Sequence, residues 1–167
     1  MALLEVRDLT VSFTTVDGVV HAVNGINFDL EPGQTLGLVG ESGSGKTQTA
    51  LAIMGLLAEN GHVSGSVKFR GQELLGMSPG ELSRLRGSKI SMIFQDPVSS
   101  LNPYMSIGDQ LIEVLTHHRN LRRREARSRA IEMLRLVHLN DAEQRMRQFP
   151  HELSGGMCQR IMIAMGL

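Results

Sequence analysis

The sequence predicts a mixed α/β fold, and three observations carry that prediction. Apolar residues alternate along much of the stretch from Leu4 to Leu30, which is the period of strands. Between Thr35 and Ala58 an apolar run, a glycine-rich loop and a helical pattern follow one another. From Pro97 to about Phe149 the apolar positions fall at helical spacing. A β layer, a strand–loop–helix unit and a helical segment, in that order, define the class.

Leu4, Val6, Leu9, Val11 and Phe13 read as a strand broken around Arg7-Asp8, and Val16-Asp17-Gly18 is a turn. Val19 to Val23 returns, and Ile26, Phe28 and Leu30 alternate again before Glu31-Pro32-Gly33. Thr35 to Val39 is short and apolar, as a buried parallel strand should be. The helix after the loop is expected over Gln48 to Ala58, with Ala50, Leu51, Ile53, Met54 and Leu57 as its apolar positions. Ser64 to Arg70 is another strand, turning at Gly71. Ser78-Pro79-Gly80-Glu81 starts a helix, with Ser78 as N-cap, proline next and an acid three residues after the cap. That helix should end near Gly87, and Lys89 to Gln95 should be a strand stopped by Asp96-Pro97. Helices over Ile107 to His118 and Leu121 to His138 follow, and a further one opens at Leu153-Ser154-Gly155-Gly156.

At 167 residues the chain suits one domain or a piece of a larger one. Hydrophobic residues make up 41%, charged residues 20%, and the formal net charge is zero, so nothing pulls the whole chain towards nucleic acid or anionic lipid. The single cysteine, Cys158, excludes an intramolecular disulfide and fits a reducing compartment. Acidic and basic residues come too early for a secretory signal, and the longest apolar run, Ala50 to Ala58, is too short to span a bilayer.

Gly40-Glu41-Ser42-Gly43-Ser44-Gly45-Lys46-Thr47 fits G-x-x-x-x-G-K-[ST], a phosphate-binding loop. Glycines let the backbone turn with positive φ and bring its N–H groups close to an anion. Lys46 is the mobile cation for the outer phosphates, and the Thr47 hydroxyl is the ligand for a bridging Mg²⁺. Phosphate would then sit on the N-terminus of the helix that begins near Gln48. A chance match in such a chain has a probability of roughly one in a hundred, and the strand–loop–helix setting lowers it further.

Together with Ile93-Phe94-Gln95-Asp96-Pro97 and Leu153-Ser154-Gly155-Gly156-Met157-Cys158-Gln159-Arg160, this loop resembles the three ordered motifs of ABC transporter ATP-binding subunits. The second segment is similar to the Q-loop and the third to the signature motif, with a helical insert between them. The resemblance covers essentially the whole chain. It implies a RecA-like P-loop NTPase core with an N-terminal antiparallel β layer and an α-helical insert. The corresponding division is 1–96 for the core, 97–152 for the helical subdomain and 153–167 for the signature segment. Phe94 to Met105, with Leu56 to Gly61, resembles the oligopeptide, dipeptide and nickel importer subgroup, with the oligopeptide branch nearest.

On that resemblance ATP and Mg²⁺ are the cofactors, contacted by Gly40 to Gln48, with Thr47 and Gln95 towards the metal and Lys46 and Gln95 in the catalytic roles. Leu153, Ser154, Gly155, Gly156 and Gln159 would contact the ATP of a second, homologous subunit in a head-to-tail dimer. Implied partners are transmembrane permease subunits and, through them, an extracytoplasmic peptide-binding protein, but no nucleic acid. The location implied is peripheral, on the cytoplasmic face of the plasma membrane. The Walker B strand with its acidic pair and the switch histidine are expected after Leu167. The 167 residues alone are therefore expected to bind ATP without efficient hydrolysis. Cys158 and Gly166 depart from the subgroup, which more often has arginine or serine, and alanine, at those positions.

Several residues have plainer readings. By its position the resemblance makes Phe13 the candidate for stacking on adenine, with His21 the alternative, yet Phe13 could equally be a core strand residue. Arg122 to Arg129 reads as a solvated helix face, since no aromatic residues are interleaved for stacking on bases. His117-His118 lacks a companion ligand set. His151 reads as structural, and Cys158 as a passive position in the helix start. A soluble ABC-type ATPase, or a nucleotide-binding domain without turnover, are the competing functions.

Overall fold

Leu4–Thr15 (β1) and Gly18–Leu30 (β2) form a long antiparallel hairpin in the computed structural model, which describes residues 2–167. The expected break in β1 is a bulge: Asp8 has φ 46° and the pairing with both neighbouring strands shifts there. The extra residue resets the alternation, so that Val6, Leu9 and Val11 are all buried. On the facing strand Gly65, at φ +105°, leaves no room for a side chain. A Cβ there would lie 2.6 Å from both the Arg7 and Asp8 carbonyl oxygens.

Gly61–Phe69 (β3) pairs with β1, and the two-residue Gln72–Glu73 (β4) pairs with β3, giving the order β2-β1-β3-β4. Helix α1, Lys46–Ile53, lies against β1 and β2 and buries Thr49 and Ala52. It is shorter than the pattern to Ala58 predicts, because Gly55 at φ +61° stops it just after the Met54 cap. The short α2, Pro79–Leu85, starts with the expected reciprocal cap. Ser78 N–H and Oγ donate to Glu81 Oε2, and Glu81 N–H donates to Ser78 Oγ.

Two expected strands do not form. Thr35 to Val39 and Lys89 to Gln95 carry no sheet pairing beyond one bridge between Arg86 and Ile90. Apolar composition favours a strand only where backbone N–H and C=O groups find a ladder partner. Among the described residues every strand of the sheet pairs antiparallel within β1–β4, and the isolated parallel bridge at Ile90 does not extend into a ladder. Leu36, Leu38, Val39, Ile93 and Phe94 are exposed as a result.

The chain divides into one compact unit ending at Arg84 and another spanning Leu85–Leu167. The second unit is helical: α3 Pro97–Ser100, α4 Ile107–Arg119, α5 Arg123–Leu136, α6 Ala142–Arg145 and α7 Gly155–Gly166. Its core is built by Ile107, Leu111, Leu115, Ala130, Leu134, Ile161 and their buried neighbours. A 3₁₀ turn at Pro150–Glu152 leads into α7. No helix is long and apolar enough to cross a membrane among the described residues.

Candidate functional site

The loop Gly40–Thr47 closes on itself through Lys46. Its Nζ donates to Gly40 O (2.8 Å), Glu41 O (2.6 Å) and Ser44 Oγ (3.2 Å). Gly43 and Gly45 have φ +82° and +86°, as a nest of inward N–H groups requires. Gly45 is also the point where the loop presses on β2: a Cβ there would lie 2.2 Å from Ala22 O. At Gly40 a Cβ would meet Ser44 Oγ at 2.5 Å. Gly45 is the N-cap of α1, no side chain caps that end, and its first turn holds no acid. Among the described residues no capping side chain or first-turn acid therefore offsets the partial positive charge of that terminus. The Thr47 hydroxyl is exposed and has no partner among the described residues; Gln48 is half-buried and Ser42 exposed.

Phe13 and His21 both lie beside the stretch of β2 on which the loop closes. Phe13 pairs with Val20, and His21, next to Ala22, pairs with Ser12. The Phe13 ring is half-buried against Gly61, where a Cβ would come within 3.0 Å of Cε1.

Gln95 is exposed and its side chain has no partner among the described residues. Asp96 next to it is committed elsewhere. It caps α3, accepting from Val98 N–H (3.1 Å) and Ser99 N–H (3.3 Å). Hydrogen bonding from Ser99, side chain and backbone, and from Val98 N–H holds its carboxyl below the usual range. Ser154 caps α7 and accepts from Met157 N–H. Gly155 and Gly156 are exposed, and a Cβ on either would meet nothing within 4 Å. Leu153 packs on the helical core, while Gln159 points to solvent. The loop thus belongs to the first unit, and Gln95 and the Leu153–Gln159 segment to the second.

A family model described as "ABC transporter" matches residues 23–167. The chain belongs to the ABC transporter family. The oligopeptide transport ATP-binding protein OppD of Escherichia coli (strain K12) is 57% identical over 166 residues, which are 99% of this chain and 49% of that relative. AppD of Bacillus subtilis (strain 168), likewise called an oligopeptide transport ATP-binding protein, is 46% identical over 167 residues, covering 51% of its own length. The chain spans about half the length of these curated relatives. Among solved structures, the dimeric bacterial ABC transporter cassette MJ0796 matches with TM-score 0.85 at 25% identity, over 98% of this chain and 68% of that one. A second structure of that cassette, bound to ADP and Pi, matches with TM-score 0.86. The α/β class read from the sequence is that of this family's cassettes, although the described sheet is the antiparallel layer alone.

Within the family motifs, Cys158 is fully buried and donates weakly to Pro150 O at 3.7 Å. Burial pushes its thiol pKa up, so the helix start does not activate it. His151 stacks on Phe149 with ring centroids 5.8 Å apart, in keeping with a structural role. Sequence reasoning missed Gln110, a buried amide on the core face of α4. Its Nε2 donates to Asn102 O and Met105 O, and Asn102 N–H donates to its Oε1, all at 3.0 Å. These bonds hold the segment 102–105 that follows the Gln95 motif. The available signal was a glutamine at a position where the helical period demands an apolar residue.

Proposed function

We propose that this chain is the N-terminal part of an ABC importer's motor subunit, binding MgATP and coupling its hydrolysis to uptake of oligopeptides. The observation that carries the reading is the loop Gly40–Thr47, whose glycines, lysine and uncapped helix terminus form one cradle for anions. Backbone N–H groups of the loop and Lys46 would hold the phosphates and offset their charge. The exposed Thr47 hydroxyl and the Gln95 amide oxygen, both without partners among the described residues, would suit Mg²⁺ as hard oxygen ligands, and the ion would supply positive charge against the phosphates. Phe13, or His21, would stack on adenine.

Ser154, Gly155 and Gly156 are read as a second cradle, serving the ATP of a homologous subunit in a head-to-tail dimer. Their own chain does not require them to be small, since open space surrounds both glycines. Such an arrangement leaves room for another molecule's close approach. Gln95, followed by a short capped helix, would pass the state of the nucleotide to permease subunits as a mechanical displacement. Peptide choice would rest with those subunits and an extracytoplasmic binding protein, and the chain would sit peripherally at the cytoplasmic face of the membrane.

A chimera tests the reading: this chain replaces the matching half of the Escherichia coli OppD it resembles, in cells lacking that protein. Oligopeptide uptake restored by the chimera and lost with Lys46→Ala is expected. A folded chimera that binds ATP and restores no uptake would contradict the motor role.

A further inference from the structure

A groove of about 720 Å³ in the helical unit gathers four arginines from separate parts of the chain. Arg123, Arg124 and Arg127 come from α5, and Arg147 comes from the segment after α6. The sequence shows only the first three as neighbours. Arg147 joins them because the N-terminus of α4 grips its segment. Ile107 N–H donates to Gln148 O (2.8 Å) and Gly108 N–H to Met146 O (2.9 Å), one bond on each side of it. Gly108 makes this close approach feasible: a Cβ there would lie 2.5 Å from Met146 O.

The groove is undercompensated. Asp109, the one acid among its described lining residues, is already committed, with Oδ2 accepting from Ser106 Oγ (2.8 Å) and Oδ1 from Arg123 (2.7 Å). The side chains of Arg124, Arg127 and Arg147 have no partner among the described residues. Three unpaired guanidinium groups therefore face one concavity in a chain of zero formal charge. Guanidinium forks match phosphate oxygens in pairs and are weakly hydrated, so phosphate is the anion they favour.

We propose that this groove binds the phosphate headgroups of anionic lipids, making a contact between the helical unit and the membrane surface. The groove's own lining favours lipid phosphate over the other polyanions. A protein partner would want an accessible apolar or aromatic anchor, but Ile112 and Met146 at the groove are buried to 6% and 5% exposure. Single-stranded nucleic acid would want aromatic faces, and none lines it among the described residues. No residue of the loop Gly40–Thr47 lines the groove.

The test is co-sedimentation of the purified chain with protein-free vesicles, either phosphatidylcholine alone or phosphatidylcholine mixed with phosphatidylglycerol. Binding is expected to the mixed vesicles only and to weaken as salt rises. Arg127→Gln should lower it about fivefold, and Arg127→Gln with Arg147→Gln about thirtyfold, since each arginine near an anionic surface contributes about 1 kcal/mol. Thermal melts matching the parent would show that the variants fold. Arg129→Gln, an arginine paired with Glu132, serves as the comparison and should change binding less. Three outcomes would overturn the proposal: no preference for the anionic vesicles, equal binding by the double variant, or binding abolished by an acidic peptide but unaffected by free glycerol phosphate.

Discussion

Gly45 does three things at once: it adopts a positive φ, it caps α1, and it lets the loop touch β2 at Ala22. Only the first was legible in the motif, because Ala22 is distant in sequence and its approach depends on the hairpin. Gly45→Ala would put a methyl group 2.2 Å from a carbonyl oxygen, so the loop must lift off the strand. The expected result is loss of nucleotide binding with the sheet's far-ultraviolet circular dichroism retained. Retained binding would show that the contact with β2 does not shape the cradle. Asp96 makes the complementary point about reading acids from sequence. It stands next to Gln95, yet its carboxylate is tied to the first N–H groups of α3. Its Oδ1 is held by the cap and its pKa is lowered, which makes it a weak base.

The elements that sequence period specified well are those whose partners lie nearby along the chain. The first hairpin, α4 and α5 fall close to their expected bounds, because turn residues and i,i+4 apolar spacing act locally. Thr35 to Val39 and Lys89 to Gln95 have strand composition but no strand, since ladder pairing is a property of two segments. The two-residue β4 was invisible for the opposite reason: one side chain, Glu73, organises it. That carboxylate accepts from Ser66 Oγ and from Val67 and Leu75 N–H. Burial alone would raise its pKa, but these bonds outweigh burial and hold it below the ordinary value. A depressed carboxylate contributes stability above its unfolded pKa, about 4.3, and that contribution fades as pH falls through the lower folded value. Acid unfolding followed by circular dichroism should therefore shift to lower pH in Glu73→Gln relative to its own neutral-pH stability. Parallel acid profiles for the two proteins would remove Glu73 as the titrating group.

At the scale of the whole molecule, the division of labour between the two units decides what the 167 residues can do. The first carries the candidate phosphate loop; the second carries Gln95 and the segment capped by Ser154. On the proposed reading these groups would address charge and metal. Activating water additionally needs a base, a contribution of about 10²–10⁴ in rate, and Asp96, whose capping bonds hold its pKa down, is a weak one. Phosphate release by residues 1–167 should accordingly fall at least about a hundredfold below that of the protein extended through the expected Walker B motif. Turnover within about tenfold of the extended protein, abolished by Lys46→Ala, would place the base within these residues.

The most direct measurement is a calorimetric titration of MgATP into the chain and into Lys46→Ala. Among the described residues Lys46 is the side chain that bonds across the loop, to Gly40, Glu41 and Ser44. Its charge-assisted bonds to phosphate should contribute about 1.5–3 kcal/mol. Saturable binding by the parent, weakened about ten- to a hundredfold in Lys46→Ala with an unchanged thermal melt, is the expected result. Equal affinity in the two proteins would mean that Gly40–Thr47 is not the phosphate cradle.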